Sequence, residues 1–268
     1  MRLKNLRDVY AGQDIYIVGS GPTASMFPME ALQGKVCMAL NDSFKIHPNV
    51  APIALMHHQT YCREGNTIDS PIHPNFAGIR YPVVKGTGKH RAENVDWDNP
   101  HFYYYDSNHD ICRIYELTKE TDCLYYTPEG CSLHAALQLA WIMGARNIFV
   151  IGCDSTTLGG KHYANYDKNG FRDDEVLKRG QVRNYDSYVK GTLIVQDFLH
   201  RKGVNVHNLS PMVGYHLIDY QYEVLKGNVP VAEIINEFKN APTVTAEYAA
   251  SVAATPTDKS KSSEERVA

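Results

Sequence analysis

The segment IYIVGSGPTASMF, residues 15 to 27, runs from four apolar residues into a glycine turn. A short apolar run rich in β-branched side chains is typical of a strand covered on both faces, and the glycine turn is typical of a junction in an α/β protein. Similar runs recur along the chain. The sequence therefore predicts six strands, at 14–19, 35–40, 51–56, 78–84, 146–152 and 204–209.

Two helical patterns flank the fifth of these strands, one directly before it and one after it. In CSLHAALQLAWIMG, Ser132 is the predicted N-cap and Gly144 the residue that ends the helix; SYVKGTLIVQDFLHRKG, ending at Gly203, repeats the pattern. Strands that alternate with helices predict an α/β fold with a Rossmann-like, mostly parallel sheet and helices on both faces. Ligands of such sheets bind beyond the carboxyl ends of the strands.

The domain organisation is predicted from composition. Residues 1–240 are expected to form a single nucleotide-binding domain with a long polar, lid-like insertion near 154–186. Residues 241–268 are rich in Ala, Thr, Ser, Lys and Glu and are expected to be a disordered tail.

Charge and cysteine content narrow the class of protein. A net charge of -3 gives no reason to expect nucleic acid or a membrane surface as the main partner. The six cysteines form no C-x-x-C pair, which indicates reduced thiols, and no run approaches the roughly 18 apolar residues of a membrane span. These features predict a cytoplasmic protein without a membrane span.

The glycine turn has the spacing of a dinucleotide loop. Gly19, Gly21 and Ala24 match G-x-G-x-x-A directly after a strand, and Asp42 follows the second strand, where an acidic residue would bind a ribose hydroxyl. These features together suggest NAD as a ligand.

Pro22 weakens the case for NAD because it removes one backbone N–H from the turn. The backbone amides of Ser20, Gly21 and Thr23, together with the hydroxyls of Ser20 and Thr23, still predict an anion site at a helix N-terminus. The alternative, a turn that needs small residues only for packing, stays open.

Three segments resemble a broad Rossmann-like group in order along the chain. They are LKNLRDVYAGQDIYIVGSGPTAS, then ALNDSF, then GCSLHAALQLAWIMGARNIFVIGCD. The group includes bacterial sialyltransferases that use CMP-sialic acid, related polysaccharide glycosyltransferases, and 6-hydroxymethylpterin diphosphokinase-like proteins. The resemblance covers roughly residues 3 to 60 and 128 to 215 and implies a nucleotide ligand.

The resemblance also implies which residues contact that nucleotide. Donor groups suit it, because phosphate oxygens only accept hydrogen bonds. The implied nucleotide-binding residues are Gly19, Ser20, Gly21, Pro22, Thr23, Asn41, Ser132, Gly152 and Tyr163, with Asp154 in the Gly-x-Asp that ends the late strand.

Two departures separate the chain from the sialyltransferases. Ser155 and Thr156 stand where those enzymes have a tyrosine, and RGQVRNYDSY contains no histidine where they place their general base. For glycosyl transfer, His162 is then the candidate base, with Asp154 as a second candidate catalytic residue.

Four functions follow, in order of preference. The first is a glycosyltransferase-like enzyme with a nucleotide-sugar donor, an unidentified acceptor and no required cofactor or metal. The second is a diphosphokinase in which Asp154 and Asp42 would hold Mg²⁺ against ATP phosphates. The third is a nucleotide-binding protein without catalysis, and the fourth an NAD-dependent oxidoreductase. The oligomeric state stays open.

Three further motifs have competing interpretations. His57 is interpreted as a donor in the pocket wall rather than as a zinc ligand with His58 and Cys62. The stretch KGTGKHR, 85–91, is expected to be a basic loop that could cover an anionic donor. FYYYD, 102–106, suggests either a strand or a stacking surface for a sugar or base.

Overall fold

A single sheet of eight strands forms the centre of the molecule. The computed structural model describes residues 1–57, 59–64, 69–85, 101–128, 130–155, 185–209 and 231–240. The strands are β1 (Asp14–Val18), β2 (Val36–Leu40), β3 (Pro52–Met56), β4 (Tyr81–Lys85), β5 (Tyr103–Asn108), β6 (Cys123–Tyr125), β7 (Asn147–Ile151) and β8 (Asn205–Asn208). The α-helices are α1 (Ser132–Ile142), α2 (Tyr185–Arg201) and α3 (Val231–Asn240).

The sheet is open and every neighbouring pair of strands is parallel. Its order is β6-β5-β4-β3-β2-β1-β7-β8. The chain runs outward from β1 to β6 and then returns to place β7 on the other side of β1. The winding direction therefore reverses between β1 and β7, which is where open α/β sheets commonly bind ligands. The predicted α/β, Rossmann-like fold is confirmed.

Alternate residues of strands β1 to β5 and β7 enter two different cores. One core lies between the sheet and the three α-helices. Its strand residues include Ile15, Ile17, Met38, Ile53, Leu55, Ile148 and Val150. The other joins Val18, Cys37, Ala39, Ala54, Met56 and Ile151 to short 3₁₀ turns. Because both faces are covered, the strands read as continuous apolar runs rather than as alternating ones.

All six predicted strands are present, with ends that differ by up to three residues. The aromatic stretch at 102–106 is a strand, β5, which confirms that interpretation. The three-residue β6 and the helix α3 were not predicted. Two local expectations are wrong: Cys131, not Ser132, is the N-cap of α1, and a 3₁₀ turn, Pro22–Met26, follows β1 instead of an α-helix.

The expectations about cysteines and membrane spans concern residues that the structure describes, whereas those about the tail and the insertion mostly do not. All six cysteines are free thiols, as predicted. Within the described ranges, no helix is long and apolar enough to cross a membrane. The predicted tail, 241–268, and most of the predicted insertion at 154–186 lie outside the described residues.

Helices α1 and α2 pack closely because α2 contains a glycine at the contact. A Cβ on Gly191 would lie 2.5 Å from Cε1 of His134 and would also collide with Cγ2 of Thr127. His134 is fully buried, and its Nε2 lies 3.0 Å from the carbonyl oxygen of Tyr188. Since a carbonyl only accepts, Nε2 carries the proton and donates it, and the imidazole links the two helices in its neutral form.

Burial of His134 should make the fold acid-sensitive. It lowers the pKa of this imidazole from 6.5 to about 4. The stability that the neutral ring contributes is therefore complete above about pH 6.5 and is lost as the pH falls through about 4, because the unfolded chain takes up the proton first. A shift of this size corresponds to about 3 kcal/mol.

The test is the slope of unfolding free energy against pH between 6.5 and 4. His134→Gln, whose amide can still donate to the Tyr188 carbonyl, is expected to flatten it. His207→Gln, the same substitution at an exposed histidine of β8, is the matched control. Equal slopes for His134→Gln and wild type would contradict the assignment.

Candidate functional site

Most of the predicted site residues that are described lie at the carboxyl edge of the sheet, in two groups. The first group is formed by the turn after β1 and the turn after β7. The second is formed by the ends of β2 and β3 and the start of α1. Ser43 connects the underlying strands, because its hydroxyl donates to the Val18 carbonyl, at 2.6 Å, and accepts from the Leu40 amide, at 2.9 Å.

In the first group the two turns are in direct backbone contact. The amides of Gly19 and Gly21 donate to the carbonyls of Ile151 and Gly152, both at 2.8 Å. A Cβ on Gly21 would lie 2.7 Å from the Gly152 oxygen, and a Cβ on Gly19 would lie 2.7 Å from Sγ of Cys153. The two glycines are therefore required by packing between neighbouring strands.

Asp154 completes this contact through Thr23. Its Oδ2 accepts from the Thr23 amide at 2.7 Å, and its Oδ1 accepts from the Thr23 hydroxyl. Both residues are buried, Asp154 being 2 % exposed. Burial raises the pKa of Asp154, and the two hydrogen bonds from Thr23 oppose that rise. This carboxylate fastens the turn after β7 to the turn after β1.

These contacts change the interpretation of the glycine turn. Three amides, those of Gly19, Gly21 and Thr23, already donate to protein acceptors, and the following 3₁₀ turn has too few residues for a helix dipole. The expected anion site built from the Gly21 and Thr23 amides is therefore not present in this arrangement. Of the three predicted donor residues, Ser20 forms no hydrogen bond with the described part of the chain.

Asp42 also differs from its expected position. Its side chain is 4 % exposed, and Oδ2 lies 3.9 Å from the ammonium of Lys45, whose side chain is equally buried. Such a carboxylate is not presented to a ribose hydroxyl. Among the described residues, no group of three or more His, Cys, Asp or Glu side chains could hold a metal ion.

Asn41 organises the second group. It follows β2 with a φ of 55°, a left-handed conformation that asparagine tolerates better than most residues. Its backbone amide donates to the Leu55 carbonyl at 2.7 Å, and its side-chain Oδ1 accepts from the backbone amide of His57 at 3.1 Å. The side chain thus extends the β2–β3 pairing by one hydrogen bond beyond the strands.

This geometry fixes the partners of Ser132. Because Oδ1 of Asn41 faces the His57 amide, Nδ2 is directed at the Ser132 hydroxyl, at 3.3 Å. The hydroxyl oxygen accepts from Nδ2 and can donate its proton to Nε2 of His57, at 3.0 Å. Ser132 therefore forms a hydrogen-bonded network with Asn41 and His57, which explains why it does not cap α1.

A third set of side chains continues along the same edge, beyond the predicted residues. The ring of Tyr126, directly after β6, has His57 edge-on at 6.3 Å and His109 stacked at 5.5 Å between centroids. Its hydroxyl is 2.6 Å from that of Tyr105. Lys85, the last residue of β4, has Nζ 5.5 Å from the Tyr126 centroid and 3.5 Å from Nε2 of His109.

Sequence reasoning did not select His109 or Tyr126, and it placed Lys85 only in a basic loop. The available signal was position, since each lies at or just after the end of a strand. Some predicted residues cannot be placed: His58, His162 and Tyr163 lie outside the described residues, as do residues 86–91. Their predicted roles stay predictions.

No family model, curated protein or solved structure matches the chain. Function therefore has to be inferred from the fold and from these contacts.

Proposed function

We propose that this protein is a glycosyltransferase-like enzyme that binds a nucleotide-sugar donor at the carboxyl edge of its sheet. The observation that carries the proposal is the hydrogen-bonded network of Asn41, His57 and Ser132, three polar side chains from three different elements. They converge at the carboxyl edge of the sheet, the edge at which parallel α/β sheets hold their ligands.

The chemistry of this network suits a phosphorylated nucleoside. An amide, a hydroxyl and an imidazole match the hydroxyls and ring atoms of a nucleoside, and none of the three carries a negative charge that would repel phosphate. Lys85, a cation in the set of side chains that adjoins the network through Tyr126, favours an anionic ligand in the same region.

In the proposed reaction the acceptor hydroxyl attacks the anomeric carbon of the donor sugar. The bond from that carbon to the phosphate oxygen breaks, and the nucleotide leaves with the electron pair on that oxygen. The acceptor proton passes to a base. His57 is a candidate for that base alongside His162, because the Ser132 hydroxyl can take up the acceptor proton while it passes its own proton to Nε2 of His57.

The diphosphokinase alternative places its magnesium on Asp154 and Asp42. Both residues are 2 % exposed, and the carboxylate of Asp154 already accepts two hydrogen bonds from Thr23. Holding a metal would require these contacts to be replaced, so the transferase is the better fit to the described residues. The experiments below distinguish the transferase from a nucleotide-binding protein without catalysis and from an NAD-binding protein.

The first test is thermal unfolding of the full chain with CMP, UDP, GDP, ATP and NAD, each with and without Mg²⁺. A ligand that binds only the folded state at 100 times its Kd stabilises it by roughly 2.7 kcal/mol. The transferase predicts a rise in Tm with CMP or UDP. A rise with ATP only in the presence of Mg²⁺ would favour the kinase, and a rise with NAD alone would exclude both.

The second test separates the network from the general fold. Ser132→Ala should weaken binding of the stabilising nucleotide by about ten-fold, the effect of one lost hydrogen bond. His57→Gln should do the same and, if His57 is the base, should lower turnover of the matching nucleotide-sugar by a further hundred-fold or more.

His207→Gln is the matched control, because His207 lies on the outermost strand β8, which β1 and β7 separate from β2. It should bind and turn over as the wild type does. His162→Ala decides between the two candidate bases: the larger loss of turnover identifies the base, and unchanged turnover removes His162 from that role. Unchanged nucleotide binding in both Ser132→Ala and His57→Gln would refute the proposed site.

A further inference from the structure

Lys85 occupies an unusual position for a lysine. It is the last residue of β4, an interior strand, and it is partly buried at the carboxyl edge of the sheet. Its ammonium lies over the ring of Tyr126, 5.5 Å from the centroid, and 3.5 Å from Nε2 of His109. A lysine is normally exposed, and when it is withdrawn from water it is usually paired with a negative charge.

The protonation of His109 can be assigned from its second nitrogen. Nδ1 lies 3.1 Å from the carbonyl oxygen of Thr127, which can only accept, so Nδ1 carries a proton. Nε2 is then the lone-pair nitrogen of a neutral ring, and the Lys85 ammonium donates to it. Of the three N–H groups of Lys85, one is used by His109 and one side of the ammonium faces the Tyr126 ring.

The charge of Lys85 is not balanced within the described residues. No carboxylate there forms a salt bridge with it, whereas other partly buried cations such as Lys119 and Lys45 lie beside Asp8 and Asp42. Burial alone lowers the pKa of Lys85, with no described acidic group opposing the change. Among the described residues nothing supplies the missing negative charge, so a bound anion would complete the surroundings of this cation.

The pair is continuous with the proposed nucleotide site. Tyr126 is fully buried and held by Tyr105, with the ring of His109 stacked on it and the ring of His57 perpendicular to it. Lys85 and His57, the partner of Ser132, therefore both neighbour the same fixed ring. An anion at Lys85 would belong to a molecule bound along the same edge.

We propose that Lys85, oriented by His109 and the ring of Tyr126, forms a subsite for an anionic group, a phosphate or a carboxylate. The subsite itself rests on the contacts of these three residues. Only the assignment of the anion to a substrate rests on the proposed function. The anion is either the phosphate of the nucleotide or an acidic group of the second substrate.

The first experiment uses small anions and no nucleotide. Binding of inorganic pyrophosphate and of malonate to the full chain is measured by titration calorimetry for wild type, Lys85→Met, Lys85→Arg and Lys202→Met. Lys202→Met is the matched control, since Lys202 also lies over aromatic rings, 5.8 Å from Trp141 and 5.5 Å from Phe198, but belongs to the turn before β8.

Wild type, Lys85→Arg and Lys202→Met are expected to bind at least one of the two anions. Lys85→Met is expected to bind it 10- to 100-fold more weakly, the effect of losing a charge-assisted hydrogen bond. The subsite is refuted if the wild type binds neither anion, or if Lys85→Met binds as tightly as the wild type.

If Lys85→Met does not fold, His109→Phe gives the decision. It preserves a ring against Tyr126 and removes the nitrogen that orients Lys85, so anion binding should weaken several-fold. Unchanged binding in this variant would refute the role of His109.

The second experiment identifies the source of the anion. CMP and UDP are compared with cytidine and uridine, which have no phosphate. If the nucleotide supplies the anion, Lys85→Met weakens binding of the nucleotide 10- to 100-fold and leaves the nucleoside unchanged. If the second substrate supplies it, nucleotide binding is unchanged and pyrophosphate still binds to the nucleotide-saturated wild type.

The two proposals can fail separately. If no nucleotide binds but pyrophosphate or malonate binding still depends on Lys85, the anion subsite stands and the nucleotide-sugar function falls. If nucleotide binding depends on Ser132 but no small anion depends on Lys85, the reverse holds.

Discussion

A Gly152→Ala substitution is expected to lower the free energy of unfolding by about 4 kcal/mol, because two costs add at this position. Gly152 has a φ of +63°, in the left-handed region where a Cβ is strained. Its Cβ would also lie 2.5 Å from the Cβ of Ala24 and 3.0 Å from the Ala24 Cα. Since Ala24 belongs to the turn after β1, the backbones of two neighbouring strand ends would have to separate.

Gly203→Ala isolates the first of these costs. Gly203 has a φ of +78°, but a Cβ there would meet nothing within 4 Å. This variant should lose about 1 kcal/mol, the conformational cost alone. Unfolding in urea, monitored by circular dichroism, measures both values. Equal losses for the two variants would contradict the close packing of the β1 and β7 turns.

The same packing explains why the sequence was a good guide to the fold and a poor guide to the glycine turn. Small residues are required wherever another group approaches the backbone, and a phosphate and a neighbouring strand impose the same requirement. The G-x-G-x-x-A spacing therefore predicted a close approach at Gly19 and Gly21 correctly. The spacing could not distinguish a ligand from Gly152, which comes 131 residues after Gly21 in the sequence.

The strands were predictable because burial on both faces leaves a local signal. Five of the six predicted runs are mostly apolar, as interior parallel strands must be; the sixth, 204–209, is half polar and forms the edge strand β8. The missed strand β6 has only three residues, Cys123–Tyr125, which is too short for any periodicity to be seen. Helix α3, Val231–Asn240, does carry a local signal, because Pro230 directly precedes it and Val231, Ile234 and Ile235 recur at helical spacing, so it could have been predicted.

The sequence could predict which residues belong to the candidate site, but not which of them form hydrogen bonds with one another. Asn41, His57 and Ser132 were selected because they follow strands or begin a helix. Their mutual hydrogen bonds depend on β2, β3 and α1 meeting at one edge, which only the assembled sheet determines. Lys85 and His109 form a pair for the same reason, since β4 and β5 are neighbours.

Asp154→Ala is expected to destabilise the fold by about 4 kcal/mol, because it leaves two buried donors of Thr23 without their acceptor. The Thr23 amide and hydroxyl are both bonded to this carboxylate, and neither residue is exposed to water that could replace it. Thr23→Val, which has a similar shape, should cost about 2 kcal/mol because it removes only the hydroxyl.

The double variant Asp154→Ala with Thr23→Val tests whether the two residues act together. If they do, its loss is smaller than the sum of the single losses by about 2 kcal/mol, the coupling expected for groups in direct contact. Urea unfolding of the four proteins in the cycle supplies the measurement. Additive losses would mean that Asp154 does not depend on Thr23 and would remove it from the fastening role.

Asp154→Asn then separates this structural role from the catalytic role predicted for Asp154. An asparagine can accept from the Thr23 amide with its oxygen and donate to the Thr23 hydroxyl with its nitrogen, so the fold should lose only about 1 kcal/mol. If the carboxylate only fastens the two turns, this variant keeps nucleotide binding and turnover. If it holds Mg²⁺ or takes part in the chemistry, turnover falls by several orders of magnitude while stability is retained, because an amide binds the cation poorly and cannot exchange a proton.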